Sequence, residues 1–94
     1  MRHSYIVSYD ICDPKRLRKM HKKMMGFGDR VQLSVFLCDL NERERVLLQG
    51  TILEVMNQQE DLVMIADLGP TEGVGRIEFL GKRMSMLGRG AVVV

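Results

Sequence analysis

The stretch Ser4–Lys23, SYIVSYDICDPKRLRKMHKK, decides the fold. Its opening run, Ser4–Tyr9, is apolar and aromatic with β-branched Ile6 and Val7. This predicts a short strand buried on both faces, and so a central strand. Asp10 stands at the strand's exit, and Ile11–Cys12–Asp13–Pro14 predicts a tight turn. Asp13 is a good N-cap, and Pro14 at the first helical position needs no N–H partner. The helix should run to about Met25, where Gly26 and Gly28 stop it. On its wheel Leu17, Met20 and Met24 share one face, with His21 beside them. Lys15, Arg16, Arg18, Lys19, Lys22 and Lys23 fill the opposite arc.

Downstream, Asp29–Asp39 alternates apolar and polar residues but is long for one strand, whose common length is about 5–6 residues. A bend or bulge near Leu33–Ser34 is expected, splitting it in two. Arg30 begins this run as a surface cation, and Phe36 lies within it as core. Asn41 with Glu44 three residues on predicts a capping box opening a second helix, which continues to about Asn57. Leu48, Ile52 and Val55 form its buried face, and Gly50 predicts close packing on the sheet. Gln58–Asp61 is a turn. Leu62–Leu68, apolar at nearly every position, reads as another interior strand. A Gly- and Pro-containing connector, Gly69–Gly75, leads to a strand at Arg76–Leu80. The closing AVVV (Ala91–Val94) reads as a last strand added to a sheet edge, its own or that of a second copy.

The resulting order suits an α+β ferredoxin-like β-α-β-β-α-β sandwich with an extra C-terminal strand. It has one antiparallel sheet with two helices on one face. Residues 1–81 form the domain and 82–94 the tail. The sheet's other face is left uncovered, and a second copy is expected there.

The whole chain of 94 residues makes a single domain with 46% hydrophobic and 28% charged content, which excludes disorder. No apolar run approaches the roughly 20 residues that span a bilayer. The N-terminus lacks a signal-peptide core, which predicts a cytoplasmic protein with no membrane partner. Cys12 and Cys38 sit in no CxxC or CxxH pattern, which argues against zinc and for small buried or turn residues. The net charge of +2 hides an asymmetry. Between Pro14 and Gly28 every charged residue is a cation. Like charges with no acid four residues away repel one another, so the helix is either a solvated face or a surface for a polyanion.

Asp10 beside that helix suggests phosphate chemistry. One carboxylate holds Mg²⁺ poorly, because the ion takes one or two carboxylates with water and phosphate oxygens. A twofold dimer would bring two copies of Asp10 to one ion. Alternatively Asp10 simply caps the turn by accepting from nearby N–H groups. His3 and His21 are weak candidates for a general base. No dinucleotide fingerprint, P-loop, nucleophile elbow or HExxH is present.

The blocks SYDICDPKRLRK, GFGDRVQLSVFLCDL, NERE, EDLVMIADL and RIEFLG, spread over residues 4–81, resemble the CRISPR-associated protein 2 family. The resemblance implies a ferredoxin-like homodimer whose C-terminal strand packs on the partner's sheet. It implies a place in prokaryotic antiviral defence, in the acquisition of new spacers. There, family members bridge dimers of the CRISPR-associated protein 1 integrase and hold duplex DNA. Some are described as Mg²⁺-dependent endonucleases on RNA or DNA, with the strand-one aspartate as metal ligand. That role falls on Asp10, with Tyr9 as its catalytic neighbour. Arg16, Arg18, Arg30 and Phe36 match further positions implicated in the family; Arg16, Arg18 and Arg30, with Lys19 on the same helix, are expected to bind nucleic acid, and Phe36 to be structural. Duplex DNA and single-stranded RNA are both expected as partners. Two activities compete, a nuclease and a non-catalytic scaffold. A regulator that only binds RNA is disfavoured, since the open sheet lacks an aromatic stacking pair.

Overall fold

In the computed structural model, which describes residues 1–73, 75 and 77–82, the elements follow in the expected order. They are β1 (His3–Asp10), α1 (Pro14–Met24), β2 (Gly28–Gln32), β3 (Val35–Leu40), α2 (Glu42–Val55) and β4 (Leu62–Pro70), then a 3-10 turn at Thr71–Gly73. The sheet has four strands in the order β2-β3-β1-β4. All neighbouring pairs are antiparallel, which is the ferredoxin-like arrangement.

Local chemistry explains most boundaries. The Asp13 carboxylate accepts from the Arg16 N–H at 2.9 Å, and Pro14 begins α1. At α2 the capping box is complete. The Glu44 N–H donates to Asn41 at 2.8 Å, and the Asn41 N–H donates to Glu44 at 2.9 Å. The long run breaks at Leu33–Ser34 into β2 and β3, with a register irregularity between Arg30 and Gln32.

Side chains alternate across β1. Tyr5, Val7 and Tyr9 are buried under the helices, whereas Ile6 and Ser8 are half-buried on the open face. Two-sided burial of β1 is therefore not what forms: the helices cover one face only. Phe36, Cys38 and Leu40 of β3 join Met20 and Met24 of α1 and Leu48, Ile52 and Val55 of α2 in one core.

Other expectations are corrected. Among the described residues Leu62–Pro70 is an edge strand of this sheet, not an interior one. Its Val63 and Ile65 pack on the core, while Leu62, Met64 and Leu68 stand exposed on the open face. An apolar run reports that both faces avoid water; it does not say what covers them. Gly50 does not pack on the sheet: it is exposed, and a Cβ there would meet nothing within 4 Å. Gly28 does not stop α1, which ends at a Met25 cap in ordinary helical conformation. Of the strand expected at Arg76–Leu80, the described residues show only an isolated bridge at Phe79. The terminal AVVV strand lies outside the described residues. No helix among the described residues is long and apolar enough to cross a membrane.

Gly28 has a different reason. A Cβ there would stand 2.4 Å from the Leu37 carbonyl oxygen and 2.6 Å from the Cys38 Sγ. Gly28→Ala must push β2 off β3 and should cost about 1–3 kcal/mol. Denaturant unfolding checks this, and an unchanged midpoint would show that the strands can part without cost.

Candidate active site and nucleic-acid interface

Asp10 is the last residue of β1 and pairs with Leu62 of β4. It is exposed, and its side chain forms no hydrogen bond or ion pair with the described residues. Capping is done by others: Asp13 caps α1, and Asp61 accepts from the Cys12 N–H at 3.0 Å. The turn-capping alternative for Asp10 is therefore not realised.

Tyr9 is one residue earlier in the same strand, so its side chain lies on the opposite face of the sheet. It is buried, stacks on Phe36 at a centroid distance of 6.2 Å, and its hydroxyl meets His21 Nδ1. Burial pushes the Tyr9 phenol up to about 12, against the opposing pull of Arg30. Burial lowers the pKa of His21, and the Arg30 charge adds to that. Both shifts favour neutral partners, with the Tyr9 O–H donating to a neutral imidazole. Tyr9 and Asp10 are thus not brought together.

The candidate bases are also placed elsewhere. His21 serves Tyr9 on the helix side. His3 sits at the other end of β1, about 23 Å from Asp10 at 3.3 Å per residue. Its Nδ1 meets the Asp67 carboxylate at 2.9 Å. The Gly69 N–H and then His3 hold the Asp67 carboxyl below its ordinary range.

The expected cations divide. Arg18 and Lys19 are exposed on α1 and make no hydrogen bond or ion pair with the described residues. Arg30 is half-buried on β2, opposite Phe36, and its Nε donates to the Leu33 carbonyl at 3.1 Å. Its charge acts on Tyr9 and His21. Arg16 is committed to protein. Its Nε donates to Asp61 Oδ2 at 2.9 Å, and its Nη2 to Asp61 Oδ1 at 3.1 Å and to Glu60 at 3.0 Å. Phe36 is fully buried in the core.

Asp61 is the residue that sequence reasoning missed, having been counted only as part of a turn. Its side chain is fully enclosed and accepts four hydrogen bonds, the fourth from the Asn57 N–H at 2.9 Å. The Arg16 guanidinium, chiefly, holds its carboxyl well below the usual carboxylate range. No local signal marks it, because its main partner is 45 positions away.

As to metal, no group of three or more His, Cys, Asp or Glu among the described residues is placed to hold an ion. The donor chemistry of Asp10 nevertheless suits a hard cation: an exposed carboxylate that no described residue neutralises. One chain offers one such ligand.

Residues 3–72 match the family described as CRISPR associated protein Cas2. A Geobacter sulfurreducens protein named CRISPR-associated endoribonuclease Cas2 is 44% identical over 95 residues, covering 100% of both chains. A Rhodospirillum rubrum protein of the same description is 42% identical, over 98% of this chain and 91% of the relative. Among solved structures, a hypothetical protein from Thermus thermophilus superposes with a TM-score of 0.77 at 33% identity, over 89% of this chain and 96% of the other. Streptococcus pyogenes Cas2 superposes with a TM-score of 0.66 at 31% identity, over 70% of this chain and 86% of the other.

Proposed function

The chain belongs to the CRISPR associated protein Cas2 family, and from that premise we propose that it is a homodimeric nucleic-acid-binding protein of spacer acquisition whose Asp10 supports Mg²⁺-dependent phosphodiester hydrolysis. The observation that carries the nuclease reading is Asp10 itself, exposed at the strand exit and without a partner among the described residues. Relatives carrying the name endoribonuclease support it. RNA and DNA both fall within this reading, and the setting is the cytoplasm.

The dimer follows from two needs. Leu62, Met64 and Leu68 leave apolar surface on the open sheet face, and burying it is favourable at about 25 cal/mol per Å². One carboxylate also holds Mg²⁺ poorly, and Asp10 of a partner subunit would supply a second. Mg²⁺, when bound, would supply positive charge at the phosphate and lower the pKa of attacking water. The chain's own contribution is to hold the Asp10 backbone at a strand end, paired with Leu62, so that the carboxylate is presented to solvent there. Arg18 and Lys19 would neutralise flanking phosphates and set the position of the strand.

A second reading rests on a specific observation. Asp10 lies on the sheet face opposite Tyr9, His21 and Arg30, and no histidine of the described residues reaches it. Arg30 stands on the other face from the carboxylate, and Arg16 is held by Asp61. This favours a scaffold that bridges CRISPR-associated protein 1 integrase dimers and holds duplex DNA without cutting it. Spacer integration with the cognate integrase separates the two. Full integration by Asp10→Ala supports the scaffold; loss of integration together with cleavage supports the nuclease.

The nucleic-acid surface has its own test. Arg18→Ala with Lys19→Ala should weaken duplex binding at low salt. It should also reduce the slope of log K against log salt by about 0.9 for each phosphate that is no longer neutralised. An unchanged slope removes α1 from the binding surface.

A further inference from the structure

We propose that Arg16 is a positioning residue, which anchors the turn after Asp10 through the enclosed Asp61 carboxylate and does not bind phosphate. The geometry is fourfold. Asp61 directly precedes Leu62, the residue paired with Asp10 across β1 and β4. One of its oxygens accepts from the Cys12 N–H, two residues past Asp10, at 3.0 Å. The other accepts from the Asn57 N–H at the exit of α2, at 2.9 Å. The guanidinium closes on both oxygens from the first turn of α1, at 2.9 and 3.1 Å.

One carboxylate thus ties together the end of β1, the start of α1, the exit of α2 and the start of β4. A second tie runs alongside. Cys12 Sγ donates to the Glu60 carbonyl at 3.1 Å, and Arg16 also holds the Glu60 side chain at 3.0 Å.

A phosphate would have to draw Arg16 away from this partner. The Asp61 side chain is fully enclosed, so its charge cannot turn to water for compensation. Removing one member of an enclosed ion pair leaves an uncompensated charge, which is far costlier than breaking an exposed pair. The planar fork matters too, since lysine keeps the charge but cannot bond both oxygens in parallel. Arg18, two positions on, carries the same group without such a partner among the described residues and is free for phosphate.

The bearing of this clamp on cleavage rests on the reading of Asp10 given above; the clamp itself is tested without it. Amide hydrogen exchange should be compared in the wild type, Arg16→Ala, Arg16→Lys and Asp61→Asn. Exchange at Cys12 and Asn57 should quicken at least about tenfold in Arg16→Ala and Asp61→Asn, and less in Arg16→Lys. Phe36 and Cys38 in β3 should keep their protection. A loss of global stability would instead speed all four amides together. In duplex-DNA titrations, Arg16→Ala should leave the salt slope unchanged where Arg18→Ala lowers it by about 0.9. Unchanged exchange at Cys12, or a lowered slope in Arg16→Ala, overturns the proposal. If Arg16→Ala fails to fold, Arg16→Lys carries the same comparison. If the wild type binds neither Mg²⁺ nor DNA, the functional reading fails while the exchange data still decide the clamp.

Discussion

Asp10→Ala should lower Mg²⁺-dependent phosphodiester cleavage by at least about 100-fold, since even outer-shell partners of a metal typically cost 10–100-fold. The same substitution should leave unfolding free energy within about 0.5 kcal/mol of wild type, as for an exposed side chain without partners. The pairing of these outcomes matters. Asp10 ends β1 and its side chain makes no hydrogen bond or ion pair with the described residues, so removing the carboxylate disturbs no fold interaction. Duplex binding through Arg18 and Lys19 should persist, because those side chains are exposed on α1 and make no hydrogen bond or ion pair with Asp10 that its removal could disturb. The measurement is cleavage of labelled RNA and DNA with and without Mg²⁺, alongside a denaturant titration. Wild-type cleavage by purified Asp10→Ala would assign the activity elsewhere. A large drop in stability would mean that Asp10 holds the turn after all.

Phe36→Ala should remove about 3–5 kcal/mol of stability, the usual cost of deleting a buried aromatic ring. A small domain has only about 5–15 kcal/mol in total, so much of the population would unfold on mild warming. Phe36 is fully buried, stacks on Tyr9 at 22° between ring planes, and pairs across the strands with Arg30. Its match to a family position is therefore explained by packing, with no direct role at nucleic acid required. It backs the ring whose hydroxyl meets His21, and it faces the strand that carries Arg30. Phe36→Leu should cost less than Phe36→Ala, since it refills part of the cavity. The check is the denaturant midpoint of each variant, with duplex affinity measured under conditions where the variant is still folded. A near-wild-type midpoint for Phe36→Ala would contradict the core assignment. Normal stability with abolished binding would move Phe36 to the interface.

How much can be read from residues alone follows from the range of the forces involved. Asp13–Pro14 and Asn41–Glu44 announce their helices because a cap acts within three residues. The break at Leu33–Ser34 shows because eleven alternating residues exceed an ordinary strand. Misreadings come where an apolar pattern is asked to name its partner. The Leu62–Leu68 run is apolar on both faces, yet the described residues cover only one. Gly50 sits inside a helix with residues of every kind around it, and nothing local says that it faces solvent.

Element order, the ferredoxin-like class, the basic helix and the position of Asp10 at a strand end are all written in the linear chain. They depend on periodicity, capping and charge counted over a few residues. Packing settles the rest: Tyr9 turns away from Asp10 to meet His21, and β4 becomes an edge. Packing also assigns Arg16 to Asp61 and leaves Arg18 with no such partner among the described residues. Two arginines on one helix look alike in sequence. What separates them is an enclosed carboxylate 45 positions away, and such a pairing exists only once the strands and helices have come together.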